Sequence, residues 1–325
     1  MNKMVWVTIL SAGPLLVATS ARGHECSSLQ VVQAYPVGEV PESITADRHG
    51  NLYFSNGTTV RKRTPHGRET IFATLPIPVS ALGVKIGHDG CVYNTSVSLD
   101  PAVAGAFVWR TCTEGTTAQV FATLDQTGGP NDLAFDDDGN AFVTDPFLGK
   151  IWKVTPQGSA SEWLADPLLD GNPAAPFLVF RAQGVNGIAF TEDKRHLYVG
   201  NLDFGRIVRI PIRRDGSAGR PSTWVSDPRI QGADGIAFDE EGNLFVAVNG
   251  QNSLVRISSR GRVEVLFTGA PLDSPSSVVF GGRRGDRDTL YVASSAFMRT
   301  FGLQAGTPAP ALLSTDVRHD GLDLP

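Results

Sequence analysis

Four side chains with oxygen donors recur at one position of a repeated phrase: Glu42, Asn131, Asn186 and Asp234. Two carboxylates and two amides brought to one point form an oxygen-only donor set. Such a set suits a hard divalent cation, calcium first, and suits zinc or copper poorly because it contains no histidine or cysteine. A cation on those oxygens would act as a Lewis acid and stabilise negative charge developing on a bound oxygen. Asp234 fits the role of ligand or of general base, with Asp145 and Asp203 as alternative bases. The histidines scatter, Gly-x-Ser-x-Gly is absent, and no glycine-rich phosphate cradle is present. Serine-hydrolase and nucleotide chemistry therefore have no motif here.

The phrase itself says what must hold these residues. It reads Pro41-Glu42-Ser-Ile-Thr-Ala-Asp47-Arg-His-Gly50-Asn51-Leu-Tyr-Phe54 and returns from Pro130 to Val143 and from Ala233 to Val246. Looser copies start at Leu82, Val185 and Pro275. The heads at 42, 82, 131, 186, 234 and 276 stand roughly 40–55 residues apart, a blade-sized period. Each copy is an apolar strand, an Asp-x-x-Gly type turn that supplies positive φ, and a second apolar strand. A third strand follows, such as Ile151–Val154 or Leu254–Ile257, and then a fourth, such as Ala160–Leu164. The expected fold is all-β: a six-bladed β-propeller with four antiparallel strands per blade. The first strand of a blade lines the channel, so the six heads ring one mouth and the Asp-x-x-Gly turns the other. Second strands end at the same mouth as the heads, at Asn56, Asn94, Asp145, Asn201 with Asp203, Asn249 and Ser294-Ser295. Leu29–Tyr35 is expected as an outer strand that closes the ring against the C-terminal strands.

Composition agrees. Hydrophobic residues make up 41% of 325, enough for a large core, and 35 glycines with 21 prolines imply many turns. A net charge of -5 leaves no electrostatic footprint for nucleic acid. Lys3, the apolar stretch Met4–Ala18 and the small residues Ser20, Ala21 and Gly23 form a secretory leader pattern. Residues 1–23 are expected as a signal peptide and 24–325 as one propeller domain, secreted or periplasmic, monomeric and without a membrane span. Cys91 and Cys112 fall on neighbouring strands and are expected to pair, leaving Cys26 odd. Asn56-Gly-Thr58 and Asn94-Thr-Ser96 match the glycosylation acceptor pattern.

The motifs Pro-Glu42-Ser, Gly-Pro-Asn131-Asp132, Val-Asn186-Gly-Ile-Ala-Phe and Ala-Asp234-Gly-Ile-Ala-Phe-Asp-x-x-Gly-Asn-Leu resemble the family of gluconolactonases, regucalcin and luciferin-regenerating enzyme over roughly residues 36–295. The resemblance implies metal ligands at Glu42, Asn186 and Asp234. It implies Asn131 beside the metal, on substrate or a bound water, and hydrolysis of a small lactone or related ester. Two departures stand out. Ser43-Ile44 replaces the usual Gly-Pro after the glutamate, and Gly128-Gly129-Pro130 carries no arginine before the Asn-Asp pair.

Two insertions reach the same mouth, Val97–Ala106 and Asp166–Gln183. The second carries Phe177, Leu178, Phe180 and Arg181. Arg181 and Asp203 complete the substrate-binding candidates, Arg181 as a partner for a substrate carboxylate. Apolar loops above a polar centre point to an apolar or mixed substrate. Two other functions remain open. One is a non-catalytic NHL-like propeller that binds a protein or small ligand, favoured if Phe177 or Phe180 plugs the channel. The other is a strictosidine-synthase-like or lyase propeller, for which Glu42 is a poor catalytic glutamate.

Overall fold

Each repeated phrase folds as a hairpin. In the computed structural model, which describes residues 28–98, 100, 102–177 and 181–323, Asp47 accepts from the backbone N–H of His49 and of Asn51. Asp136 and Asp239 make the same two-pronged turn. Gly50, Gly139 and Gly242 then take φ of 80°, 80° and 75°, where a side chain would be strained. The leader, its cleavage site, Cys26, Leu178 and Phe180 lie outside the described residues.

Six sheets result, as the repeat predicts. Blade 1 is built from Pro41–Ala46, Leu52–Asn56, Thr59–Arg63 and Glu69–Thr74, with Thr116–Thr117 added in parallel. Blades 2 to 5 have inner strands Ser80–Ile86, Leu133–Phe135, Val185–Phe190 and Ala233–Phe238. Blade 6 takes Pro275–Phe280, Thr289–Ser294 and Ala311–Asp316 from the C-terminal part and Gln30–Ala34 from the N-terminal part. Gln30–Ala34 pairs antiparallel with Ala311–Asp316, so the two ends of the propeller close one blade. The only helical pieces among the described residues are Phe297–Thr300 and a 3-10 turn at Pro228–Ile230. No helix among them is long and apolar enough to cross a membrane.

The core lies between blade faces. The phenylalanine that closes an inner strand meets an aromatic ring from the blade before it, edge to face. Examples are Tyr93–Phe135, Phe142–Phe190, Tyr198–Phe238 and Phe245–Phe280, with centroids 5.1–5.4 Å apart. Such pairs add about 0.5–1.5 kcal/mol each beyond burial and fix the blade-to-blade distance.

Cys91 and Cys112 form a disulfide next to the paired residues Val92 and Thr111. It closes a loop across 21 residues, which stabilises the fold by about 3 kcal/mol on chain-entropy grounds. The double variant Cys91→Ala/Cys112→Ala is expected to unfold at lower urea with an unchanged m-value. An unshifted midpoint would show that the bridge contributes nothing.

Candidate metal and substrate site

The blades are held together at the axis by the residues that follow each head. Gly83, Gly187 and Gly235 lack a side chain because a Cβ would overlap the next blade: Asn131 O, Asp234 O and the Ser276–Ser277 backbone respectively. At the other junctions hydroxyls bridge the blades. Ser276 Oγ donates to Glu42 O at 2.6 Å, Thr144 Oγ1 to Asn186 O at 2.5 Å, and Val84 N to Ser43 Oγ at 3.1 Å. Ser43 therefore has a structural job at the junction of blades 1 and 2.

This close approach breaks the inner ladders in a repeated way. Register slips between Pro41 and Ile44, Ala81 and Val84, Val185 and Ile188, Ala233 and Ile236, and Pro275 and Ser277. Each slip is a bulge at the head residue, and a bulge re-aims a side chain. The heads Glu42, Leu82, Asn131, Asn186, Asp234 and Ser276 all line one cavity of about 320 Å³.

The cavity floor has an unbalanced polar chemistry. Asn186 and Asp234 are buried, and Glu42 is half-buried with its Oε2 sealed from solvent. Glu42 Oε2, Asn186 Oδ1 and Asn249 Oδ1 have no hydrogen-bond partner among the described residues. Asn249 Nδ2 donates to Asp234 Oδ2 at 3.0 Å and so fixes that carboxylate. A third carboxylate, Asp132, is buried nearby and pairs with Lys85 Nζ at 3.1 Å. Burial, then the charges of Asp234 and Asp132, push the Glu42 carboxyl well above its ordinary range against the pull of Lys85. Burial pushes Asp234 up to about 8, opposed by the Asn249 hydrogen bond and helped by Asp132. Orphaned oxygens and carboxylates crowded out of water lack a partner, and a cation is one that this donor set would accept. The residues fit an oxygen-ligated divalent metal: Glu42, Asn186 and Asp234 would hold it, with Asn131 beside it.

Other expectations need correction. Asp203 is not among the residues that line the cavity. Its carboxylate accepts the backbone N–H of Asn172 at 2.8 Å, of Phe177 at 2.7 Å and of Gln183 at 2.7 Å, so it is the anchor of the Asp166–Gln183 insertion. Arg181 is not part of the cavity wall. It donates to Thr127 O and stacks 3.9 Å from the Phe147 ring centroid. Asp145 is spent as a loop anchor, accepting from Gly129, Phe147 and Leu148 N–H and from Trp152 Nε1. Asn56 and Asn94 are buried, which removes them as sugar acceptors. Phe177 lines the cavity without filling it, its ring seated over Gly232 and Gly250. Asn249 and Asp132 are the further polar residues at this centre, one on Asp234 and one paired with Lys85. Their signals in the sequence are a polar residue ending a second strand and the acid that follows Asn131.

Removing the Asp203 carboxylate leaves three backbone donors unpaired, that of Gln183 buried and those of Asn172 and Phe177 part-buried. Asp203→Ala is expected to cost about 2–4 kcal/mol of stability. Hydrogen exchange should also quicken at the amides of Asn172, Phe177 and Gln183. Unchanged exchange there would show that the insertion is held by other contacts.

Outside this mouth, Asp89 lies against Cys91 and Cys112, but both sulfurs are committed to the disulfide, so no metal site exists there.

A six-bladed propeller whose inner strands converge acids and amides on a cavity at the channel mouth defines a class of compact small-molecule sites. The sequence profile described as the SMP-30/Gluconolactonase/LRE-like region matches residues 40–296, and the chain belongs to that family. Lactonase drp35 of Staphylococcus aureus (strain bovine RF122 / ET3-1) is 24% identical over 246 residues, covering 72% of this chain and 73% of the lactonase. Among solved structures, a luciferin-regenerating enzyme superposes with a TM-score of 0.67 at 16% identity, covering 92% of this chain and 99% of that one. Regucalcin, a calcium-binding protein from Agrobacterium tumefaciens, gives 0.65 at 19% identity, covering 91% and 95%. The structural likenesses establish the shared propeller.

Proposed function

We propose that this protein is an exported, divalent-cation-dependent hydrolase, with calcium the preferred ion, that opens a lactone or related ester. The observation that carries this is the convergence of Glu42, Asn186 and Asp234 on one cavity, where Glu42 Oε2 and Asn186 Oδ1 are buried with no donor among the described residues. The lactonase relatives supply the reaction class, and the calcium-binding neighbour supports the ion. The leader pattern and the disulfide support export to an oxidising compartment.

A bound divalent cation supplies a Lewis acid for the carbonyl of the substrate. The chain's own residues do the rest. The Asn131 backbone is fixed where its carbonyl accepts from Gly83 N at 2.8 Å and from Thr95 Oγ1, which sets Asn131 at the cavity wall, where its side chain would contact the substrate. Asp234, oriented by Asn249, accepts the proton of the attacking water, and that proton then passes to the ring oxygen as the acyl bond breaks. Water is balanced into a hydroxy acid, with no redox partner needed.

A panel of lactones and esters, assayed with calcium and after EDTA, tests this. The expected result is ring opening that EDTA stops and calcium restores. Calcium binding with no hydrolysis of any lactone or ester would leave a non-catalytic ligand-binding propeller instead.

A further inference from the structure

The cavity selects among lactones, and its walls say which. Its described lining contains no lysine, arginine or histidine. Lys85 is paired with Asp132, and Arg181 faces Phe147. A substrate carboxylate or phosphate would therefore meet no cationic side chain, only the one bound cation whose charge Glu42 and Asp234 already offset, which is costly. A polyhydroxylated ring fares little better, because several polar side chains of the lining are already engaged and the orphaned oxygens of Glu42 and Asn186 are those that would hold the cation. Ser276 Oγ donates to Glu42 O, Ser295 Oγ to Ser274 O, and Asn249 Nδ2 to Asp234. Each sugar hydroxyl stripped of water needs a replacement partner or loses about 1–3 kcal/mol.

The remaining wall is aromatic and aliphatic. Phe147, Phe177, Phe297 and Phe301 line it from three separate connections, with Leu82 and Leu202 completing it. The collar is held in place. Phe177 N donates to Asp203 at 2.7 Å, and its ring occupies space that Gly232 and Gly250 leave open. Phe147 is backed by Arg181, and the Phe297 and Phe301 rings lie 4.7 Å apart. Phe301 is 54% exposed, a large apolar side chain kept at the rim.

We propose that the cavity takes an uncharged lactone or ester bearing an apolar alkyl or aryl substituent, which this collar encloses, and discriminates against polyhydroxylated sugar-acid lactones. This rests on the hydrolase assignment for its chemistry but not for its binding selectivity. The test uses the calcium-loaded full domain with γ-lactones of increasing straight alkyl chain and with glucono-δ-lactone. In parallel, calorimetry measures affinity for the matching alkyl γ-lactams, which are not turned over. The expected result is a gain of about fourfold in kcat/KM and in lactam affinity per added methylene until the collar is filled. Glucono-δ-lactone should fall at least ~10²-fold below the best alkyl lactone. Phe301→Ala, at an exposed position that folding tolerates, and Phe177→Ala should both flatten the chain-length gradient. Turnover with a flat gradient, or with the sugar lactone preferred, overturns the selectivity while the hydrolase assignment stands. Graded lactam binding with no turnover of any lactone keeps the selectivity and overturns the hydrolase assignment. No gradient in either series overturns the selectivity outright.

Discussion

Asp234→Asn is expected to abolish both the rise in thermal midpoint caused by calcium and the hydrolysis of lactones, the latter by at least ~10³-fold. Asparagine keeps the shape and can still pair with Asn249, but it removes the charge that a divalent cation needs. At a calcium concentration 100 times the dissociation constant, the wild-type protein gains about 2.7 kcal/mol, a shift read easily by calorimetry. The variant should unfold at one temperature with and without calcium. In EDTA it should be at least as stable as wild type at pH 8, because asparagine mimics the protonated acid that burial favours. That last comparison separates loss of the site from loss of the fold. Glu42→Gln should reproduce the pattern, since Glu42 Oε2 is also buried without a partner. A calcium shift that survives both substitutions would place the ion elsewhere.

Without calcium, stability is expected to fall as pH rises from about 4 towards 8. The sign follows from linkage. Asp234 is pushed up to about 8 in the folded protein, chiefly by burial, and Glu42 is raised as well. An acid whose folded pKa lies above its unfolded value binds more protons when folded, so its contribution is complete below the unfolded pKa. It is lost as pH climbs through the folded one. Each such group tilts the curve by at most about 1.4 kcal/mol per pH unit between those two values. Calcium reverses the tilt, because the ion favours the charged forms and displaces their protons. Urea titrations at pH 5, 6.5 and 8, in EDTA and in calcium, measure this. A flat EDTA curve between pH 5 and 8 would mean that these carboxylates are well solvated, contrary to the burial described above.

Much of the ring was legible because its instructions are local. An Asp-x-x-Gly turn between two apolar strands specifies a hairpin wherever it occurs, and six copies at blade-sized spacing leave few architectures. The heads of the inner strands could be placed at one mouth for the same reason, and so could the closing strand at Gln30–Ala34 and the Cys91–Cys112 bridge. The ends of the second strands were not legible in the same way. Asp145, Asn201, Asp203 and Asn249 all fall at the ends of second strands, yet of these only Asn249 lines the cavity. The other three satisfy the backbone of the connections above them: Asn201 Nδ2, for instance, donates to Leu168 O and Asp170 O. Which loop folds back over a strand end depends on insertions, and insertion geometry is not written in a repeat. Arg181 misled for a related reason. A lone cation in an apolar loop reads as a substrate anchor, but Phe147 offers its guanidinium a ring face closer at hand.

The central claim is that one divalent cation binds on Glu42, Asn186 and Asp234. Calcium titrated by calorimetry into EDTA-stripped protein tests it most directly, in two buffers of different ionisation enthalpy. The expected result is one ion per chain, proton release at pH 7, and no heat at all from Asp234→Asn. Absence of binding to the wild-type protein, or binding untouched by that substitution, would contradict it.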